Sequence, residues 1–228
     1  MIADTDIIEQ TVAEVDVPPA YSWGDIARKN FNTLDFEGDW LKHIGAPELS
    51  GSWLAWGASG NGKTAYALQV AKYMSQFTKV HYNTLEEGMR KSFKLTLERS
   101  NIKSIPAGRF GFHAEDYDAL VMRLEKKRSA NFIIIDSAQY FFRGMSIKHY
   151  FDLINHFDNK LFLFISHAQG MSPKGKLADH IRYHSDVKIH VKDFVAEIQA
   201  SRFGGREPHV IWEEGMRQRE IQLINEGK

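Results

Sequence analysis

Three glycines and a lysine stand between an apolar run and a helical pattern in WLAWGASGNGKTAYALQVAKYM, residues 53–74. Glycine loses more backbone entropy on folding than any other residue, so Gly57, Gly60 and Gly62 carry a cost that something must offset. The octet GASGNGKT, residues 57–64, satisfies G-x-x-x-x-G-K-[ST] at every fixed position, and it falls where a strand ends and a helix opens. In such a loop the backbone N–H groups converge on phosphate oxygens, and the helix N-terminus adds partial positive charge. A Cβ at the glycine positions would block that approach or forbid the backbone angles. The pattern predicts a nucleoside triphosphate held by Gly57, Ser59, Gly60, Asn61, Gly62, Lys63, Thr64 and Ala65. Lys63 is expected at the β- and γ-phosphates and the Thr64 hydroxyl at Mg2+. The alternative is a chance glycine turn before a helix.

A metal at such a loop needs a carboxylate. NFIIIDS closes an apolar strand with Asp136, and the C-terminal end of a buried strand is where polar groups emerge beside the loop. The alternative is an aspartate that only caps the next segment. Glu86 and Glu87 follow the strand KVHYNTL directly. Hydrolysis needs a group that positions and polarises water, and Glu86 is the favoured candidate, with Glu87 second. The plainer reading is two acids at a helix N-terminus.

Along the chain, strands are expected at residues 52–56, 79–83, 109–114, 132–136 and 161–167. Helices are expected at 63–75, 88–100, 117–128 and 147–157. This alternation predicts an α/β fold, a mainly parallel sheet flanked by helices. FIIID and LFLFIS are uniformly apolar, as strands buried on both faces are. After residue 186, VKIHV, FVAEIQA and HVIWEE lack helices between them and predict antiparallel C-terminal strands. Residues 1–16 carry five acids and no base, and Pro18 and Pro19 follow, so residues 1–20 read as an acidic, flexible tail. Residues 21–50 read as a lead-in packed on a single domain that runs from 21 to 228.

The 29 basic and 29 acidic residues cancel, so a polyanion partner would have to meet a local patch. With no cysteine there is no disulfide or thiolate metal site. The apolar runs are short of the ~20 residues a membrane helix needs, and the N-terminus has no signal-peptide pattern. These features predict a cytoplasmic protein with no membrane partner.

The phosphate loop, LEEG, IIIDS, FLFISHAQG and PKGKLADHIRYHSDVKIHV together resemble the RecA-like ATPase core. The pattern is most similar to RadA repair proteins and replicative hexameric helicases, over about residues 34–214. The resemblance implies a RecA-like P-loop NTPase that takes ATP, with Glu86 as the catalytic glutamate. It implies that His167 senses the γ-phosphate, the other reading being a core histidine that caps its strand. ASRFGG resembles the basic motif that reaches a neighbour's nucleotide, which makes Arg202 an arginine finger acting in trans. The family usually has a lysine two residues earlier, where this chain has Ala200. The other reading of Arg202 is a solvated hairpin arginine. A finger in trans implies a homo-oligomer, ring or filament.

In RecA-like proteins the loops after the fourth and fifth strands face the central axis. Here these are residues 138–146, with Tyr140, Phe141, Phe142 and Arg143, and residues 168–176, with Lys174 and Lys176. Aromatic faces and cations together suit single-stranded DNA, although Phe141 and Phe142 also suit a core. His180 and His184, one helical turn apart, offer two metal ligands without an evident third. The leading expectation is an oligomeric, Mg2+-dependent ATPase coupled to DNA in replication, repair or recombination. The alternative is an ATP-driven protein switch or assembly factor without DNA contact.

Overall fold

A computed structural model of the chain describes residues 19–226. The acidic tail expected over residues 1–20 lies almost wholly outside them. The chain forms two units, one ending at Phe31 and one spanning Asn32–Lys228. The first holds helix α1 (Trp23–Arg28), opened by a capping box in which the Ser22 and Asp25 side chains each bond the other's backbone N–H.

The second unit begins with residues 32–50. Thr33 bridges Glu48 in antiparallel fashion, and helix α2 (Gly38–Ile44) follows with Ile44 buried. The alternation read from the sequence then begins. Strand β1 (Gly51–Gly57) leads to helix α3 (Lys63–Met74), β2 (Val80–Thr84) to α4 (Lys91–Arg99), and β3 (Phe110–His113) to α5 (Tyr117–Leu124). Strand β4 (Phe132–Asp136) is followed by the single turn α6 (Ala138–Phe141) and by α7 (Ile147–His156). Strand β5 (Leu161–Gln169) folds back through β6 (Ser172–Pro173) into α8 (Lys176–His184). Strands β7 (Val187–Lys192), β8 (Val195–Ser201) and β9 (His209–Val210) precede helix α9 (Glu213–Glu226).

The sheet order is β3-β2-β4-β5-β1-β7-β8-β9, with β6 paired to β5. Every neighbour from β3 through to β7 is parallel. The antiparallel addition begins only at β8, so VKIHV continues the parallel sheet instead of opening the antiparallel part. Helix α8, outside the helices expected from the sequence, carries the chain from β5 past β1 to β7, because strands running parallel in one sheet need a crossover.

Side chains alternate across the strands, and both sets are buried. Trp53, Ala55, Phe132, Ile134, Leu163 and Ile165 join one core, with Tyr66, Ala67 and Val70 of α3. Leu54, Trp56, Ile133, Ile135, Phe162 and Phe164 join the other, with Leu120 of α5 and Leu153 of α7. Central strands covered on both sides have no polar face to show, hence the unbroken runs FIIID and LFLFI. Leu34, Phe36 and Leu49 complete the α3 core, so the part of the lead-in from Asn32 onward does pack on the sheet.

The C-terminal reading needs correction. HVIWEE supplies only two strand residues, and from Glu213 the chain is helical. The 138–146 segment is in part helix α6, and Phe141 and Phe142 are buried core residues, unavailable for stacking on a ligand. Among the described residues no helix is long and apolar enough to cross a membrane.

Candidate nucleotide site

Strands β1, β5, β4 and β2 are parallel, so their C-terminal ends lie along one edge. That edge is where ligands bind open α/β sheets. Gly57 ends β1, His167 is level with it on β5, Asp136 ends β4, and Glu86 follows β2 by two residues. Backbone bonds from the Leu85 and Glu86 N–H groups to the Asp136 carbonyl, at 2.9 and 3.2 Å, bind the two turns together. A cavity of about 860 Å3 opens here, lined by Ser59, Gly60, Gly62, Lys63, Thr64, Ala65, Glu86 and Asp136 among others. Gly57 and Asn61 lie outside its lining.

The three loop glycines have three different causes. Gly60 has φ +80° and open space where a Cβ would be, as close approach of a ligand requires. Gly62 has φ +96° and faces packing as well, since its Cβ would lie 3.1 Å from the Phe194 ring. Gly57 has an ordinary φ, but a Cβ there would collide with the Val191 carbonyl of β7. It is a packing glycine, contrary to the sequence reading.

Lys63 Nζ turns back to the Ala58 carbonyl at 2.9 Å, within its own loop. Burial pulls its ammonium below the ordinary value, and the charges of Asp136 and Glu86 push it back up. Asp136 is buried, and its Oδ2 accepts from the Tyr82 hydroxyl at 2.7 Å and the Thr64 hydroxyl at 3.3 Å. Burial is the main force on this carboxyl and raises its pKa to about 6, against the Tyr82 bond and the Lys63 charge. Among the described residues, its neighbour Ser137 has a buried hydroxyl with no partner, and Glu87 has a buried Oε2 with none. Glu86 Oε2 lies 3.4 Å from His167 Nε2.

These residues fit a magnesium nucleotide. A desolvated carboxylate beside a threonine hydroxyl and an ammonium held only by its own loop is a set short of positive and negative charge in the right places. Thr64 and Asp136 would hold the cation and Lys63 the phosphates. Among the described residues no group of three or more His, Asp or Glu gathers as a metal site, so His180 and His184 do not form one. His184 Nδ1 instead lies 2.7 Å from the Tyr150 hydroxyl.

The far wall of the cavity was not read from the sequence. Thr96, Arg99 and Ser100 come from the end of α4, and Phe194, Ile211 and Trp212 from the β7–β8 turn and the start of α9. Asp193 and Phe194 both have positive φ, +47° and +62°, the pattern of a two-residue primed hairpin turn. Aspartate tolerates that conformation, but a phenylalanine there costs about 1–2 kcal/mol. The strain is held by an Ile211 N–H bond to the Phe194 carbonyl at 2.8 Å and by the Trp212 ring, edge-on at 5.0 Å. Only turn chemistry could have signalled it, and an aromatic in that position contradicts the usual signal.

Arg202 is not at this site. Val187 of β7 is level with both Trp53 of β1 and Ser201 of β8, so Arg202 emerges at the opposite end of the sheet. The run from Trp53 to Gly57 alone is about 13 Å of strand rise. Arg202 Nη1 pairs with Asp186 Oδ1 at 3.2 Å and is largely exposed.

A second hollow, of about 290 Å3, is formed by the two segments expected to meet DNA. Arg143, Lys174 and Lys176 line it, and among the described residues no acidic side chain does. Tyr140 is exposed nearby on α6. No family model matches the chain, and no curated protein matches it either.

Proposed function

We propose that the chain is a Mg2+-dependent, RecA-like P-loop ATPase. The observation that carries this reading is the convergence of Lys63, Thr64, Asp136 and Glu86 on one cavity at the C-terminal edge of the parallel strands. The order of the strands supports it further. Strand β5 lies between β1 and β4, so His167 rises between the phosphate loop and Asp136 and meets Glu86.

The roles follow from position. The loop amides and Lys63 grip the triphosphate. Bound magnesium would neutralise charge on the phosphate oxygens, with Thr64 and Asp136 as its protein ligands. Glu86, half-exposed at the cavity edge, orients and polarises water, a contribution of about 10²- to 10⁴-fold. His167 holds Glu86 and reports a change at the γ-phosphate to the backbone of β5. The wall of Phe194, Ile211 and Trp212 gives the nucleobase an apolar face.

Arg202 cannot act at its own subunit's phosphates from the far end of the sheet. As a finger it serves a neighbouring subunit, in a head-to-tail assembly. The hollow lined by Arg143, Lys174 and Lys176 supports a phosphate-backbone ligand, and Tyr140 adds an exposed ring. The coupled ligand in this reading is single-stranded DNA.

The test is calorimetry with ATP and magnesium, then turnover with and without single-stranded DNA, alongside native mass. We expect binding, DNA-stimulated turnover and an oligomer. No heat on titration refutes the nucleotide site. Turnover indifferent to DNA favours the protein switch over the DNA motor. The Glu86→Gln variant is expected to bind nucleotide and lose turnover.

A further inference from the structure

Gln139 lies on α6, three residues beyond Asp136, and its side chain crosses to β5. Its Oε1 accepts from the His167 N–H at 3.3 Å. Its Nε2 donates to Ser166 Oγ at 2.7 Å and to the Lys174 carbonyl at 3.1 Å. The orientation of the amide is fixed by its partners. The Lys174 carbonyl only accepts, the His167 N–H only donates, and Ser166 Oγ spends its proton on the His167 carbonyl at 2.9 Å. That same carbonyl also accepts from the Lys174 N–H at 2.8 Å.

The result is a closed knot. His167 is held at both N–H and C=O, Lys174 is held at both, and one amide joins them to the turn after β4. On one side of the knot the His167 ring touches Glu86. On the other, the Gln139 side chain and Lys174 line the cationic hollow with Arg143 and Lys176. A shift of His167 along β5 cannot occur without breaking these bonds or carrying Lys174 with it.

We propose that Gln139 is a positioning residue that couples the nucleotide state to the affinity of the cationic hollow for a phosphodiester chain. The coupling rests on the ATPase reading and names the link within it. Because coupling is reciprocal, a chain bound in the hollow tightens or loosens nucleotide binding by the same factor.

The test measures the affinity of a fluorescent single-stranded oligodeoxythymidine by anisotropy, with no nucleotide, with Mg-ADP, and with a non-hydrolysable Mg-ATP analogue. Nucleotide affinity is measured on the same samples by calorimetry. The wild type is expected to show a ratio between states within the roughly 5- to 150-fold range of coupled sites. Gln139→Met keeps the volume without the bonds and is expected to collapse that ratio towards one, with nucleotide affinity unchanged. Gln139→Glu keeps the acceptor for the His167 N–H, loses both donors, and is expected to do the same. It serves as the second variant if Gln139→Met unfolds. Normal nucleotide binding with an undiminished ratio in either variant overturns the coupling alone. So does a wild type that binds the oligonucleotide equally in all states, or not at all. A wild type that binds no nucleotide overturns the ATPase reading together with the coupling.

Discussion

Replacing Asp136 by asparagine separates the carboxylate's effect on stability from its effect on function. Burial raises the Asp136 pKa from 3.8 to about 6. An acid whose folded pKa exceeds its unfolded value binds its proton more tightly when folded. Its contribution to stability is complete below the unfolded pKa and is lost as the pH rises through the folded one. At about 1.4 kcal/mol per pH unit, the ionised group costs the free protein about 3 kcal/mol near neutral pH. Asparagine keeps the shape, still accepts from Tyr82 and does not ionise. Urea unfolding of the nucleotide-free proteins should therefore show Asp136→Asn more stable than wild type by roughly 2–3 kcal/mol near pH 7.5. The gap should close on going to about pH 4. Mg-ATP at about 100 times its Kd should stabilise the wild type by about 2.7 kcal/mol and the variant hardly at all, which removes or reverses the ranking. A gap that does not change with pH, or a variant less stable near neutrality, would refute the claim that burial sets the state of this carboxylate.

Lys63→Ala should abolish turnover with an unchanged unfolding midpoint, read by coupled ATPase assay and thermal melt. Arg202→Ala should retain nucleotide affinity and lose turnover. Mixing it with Lys63→Ala should restore part of the activity, because one variant keeps an intact site and the other an intact arginine. Full-rate hydrolysis by a monomer would rule out action in trans. Trp212→Ala should weaken Mg-ATP binding by about 2- to 10-fold, the worth of one aromatic contact, and leave Mg-triphosphate binding untouched. Equal losses for both ligands would move Trp212 off the base.

What was legible in the sequence was what repeats. Strands β1, β4 and β5 are buried on both faces, so their apolar runs mark them directly, whereas β3 at the sheet edge is half-exposed and β2 carries His81, Asn83 and Thr84. The phosphate loop is a local motif, so its lysine, threonine and helix were readable. What was hidden depends on distant parts of the chain. Helix α8 buries little besides Ala178 and Ile181, too narrow a stripe to mark it. The cavity wall at Phe194 needs a strained turn that propensity argues against, and it is held by Ile211 and Trp212 from the next segment. Phe141 and Phe142 had two readings until α6 pointed them into the core. The position of Arg202 follows from strand register, which no local pattern encodes.

The contact between Gly57 and the Val191 carbonyl has a consequence for how such fingerprints are understood. The opening glycine of the octet is a hinge pin of the scaffold. It lets β7 close against β1, and β7 leads into the turn that sets Phe194 in the cavity wall. A single added methyl at residue 57 would wedge those two strands apart, and the wall at Phe194 would shift with β7.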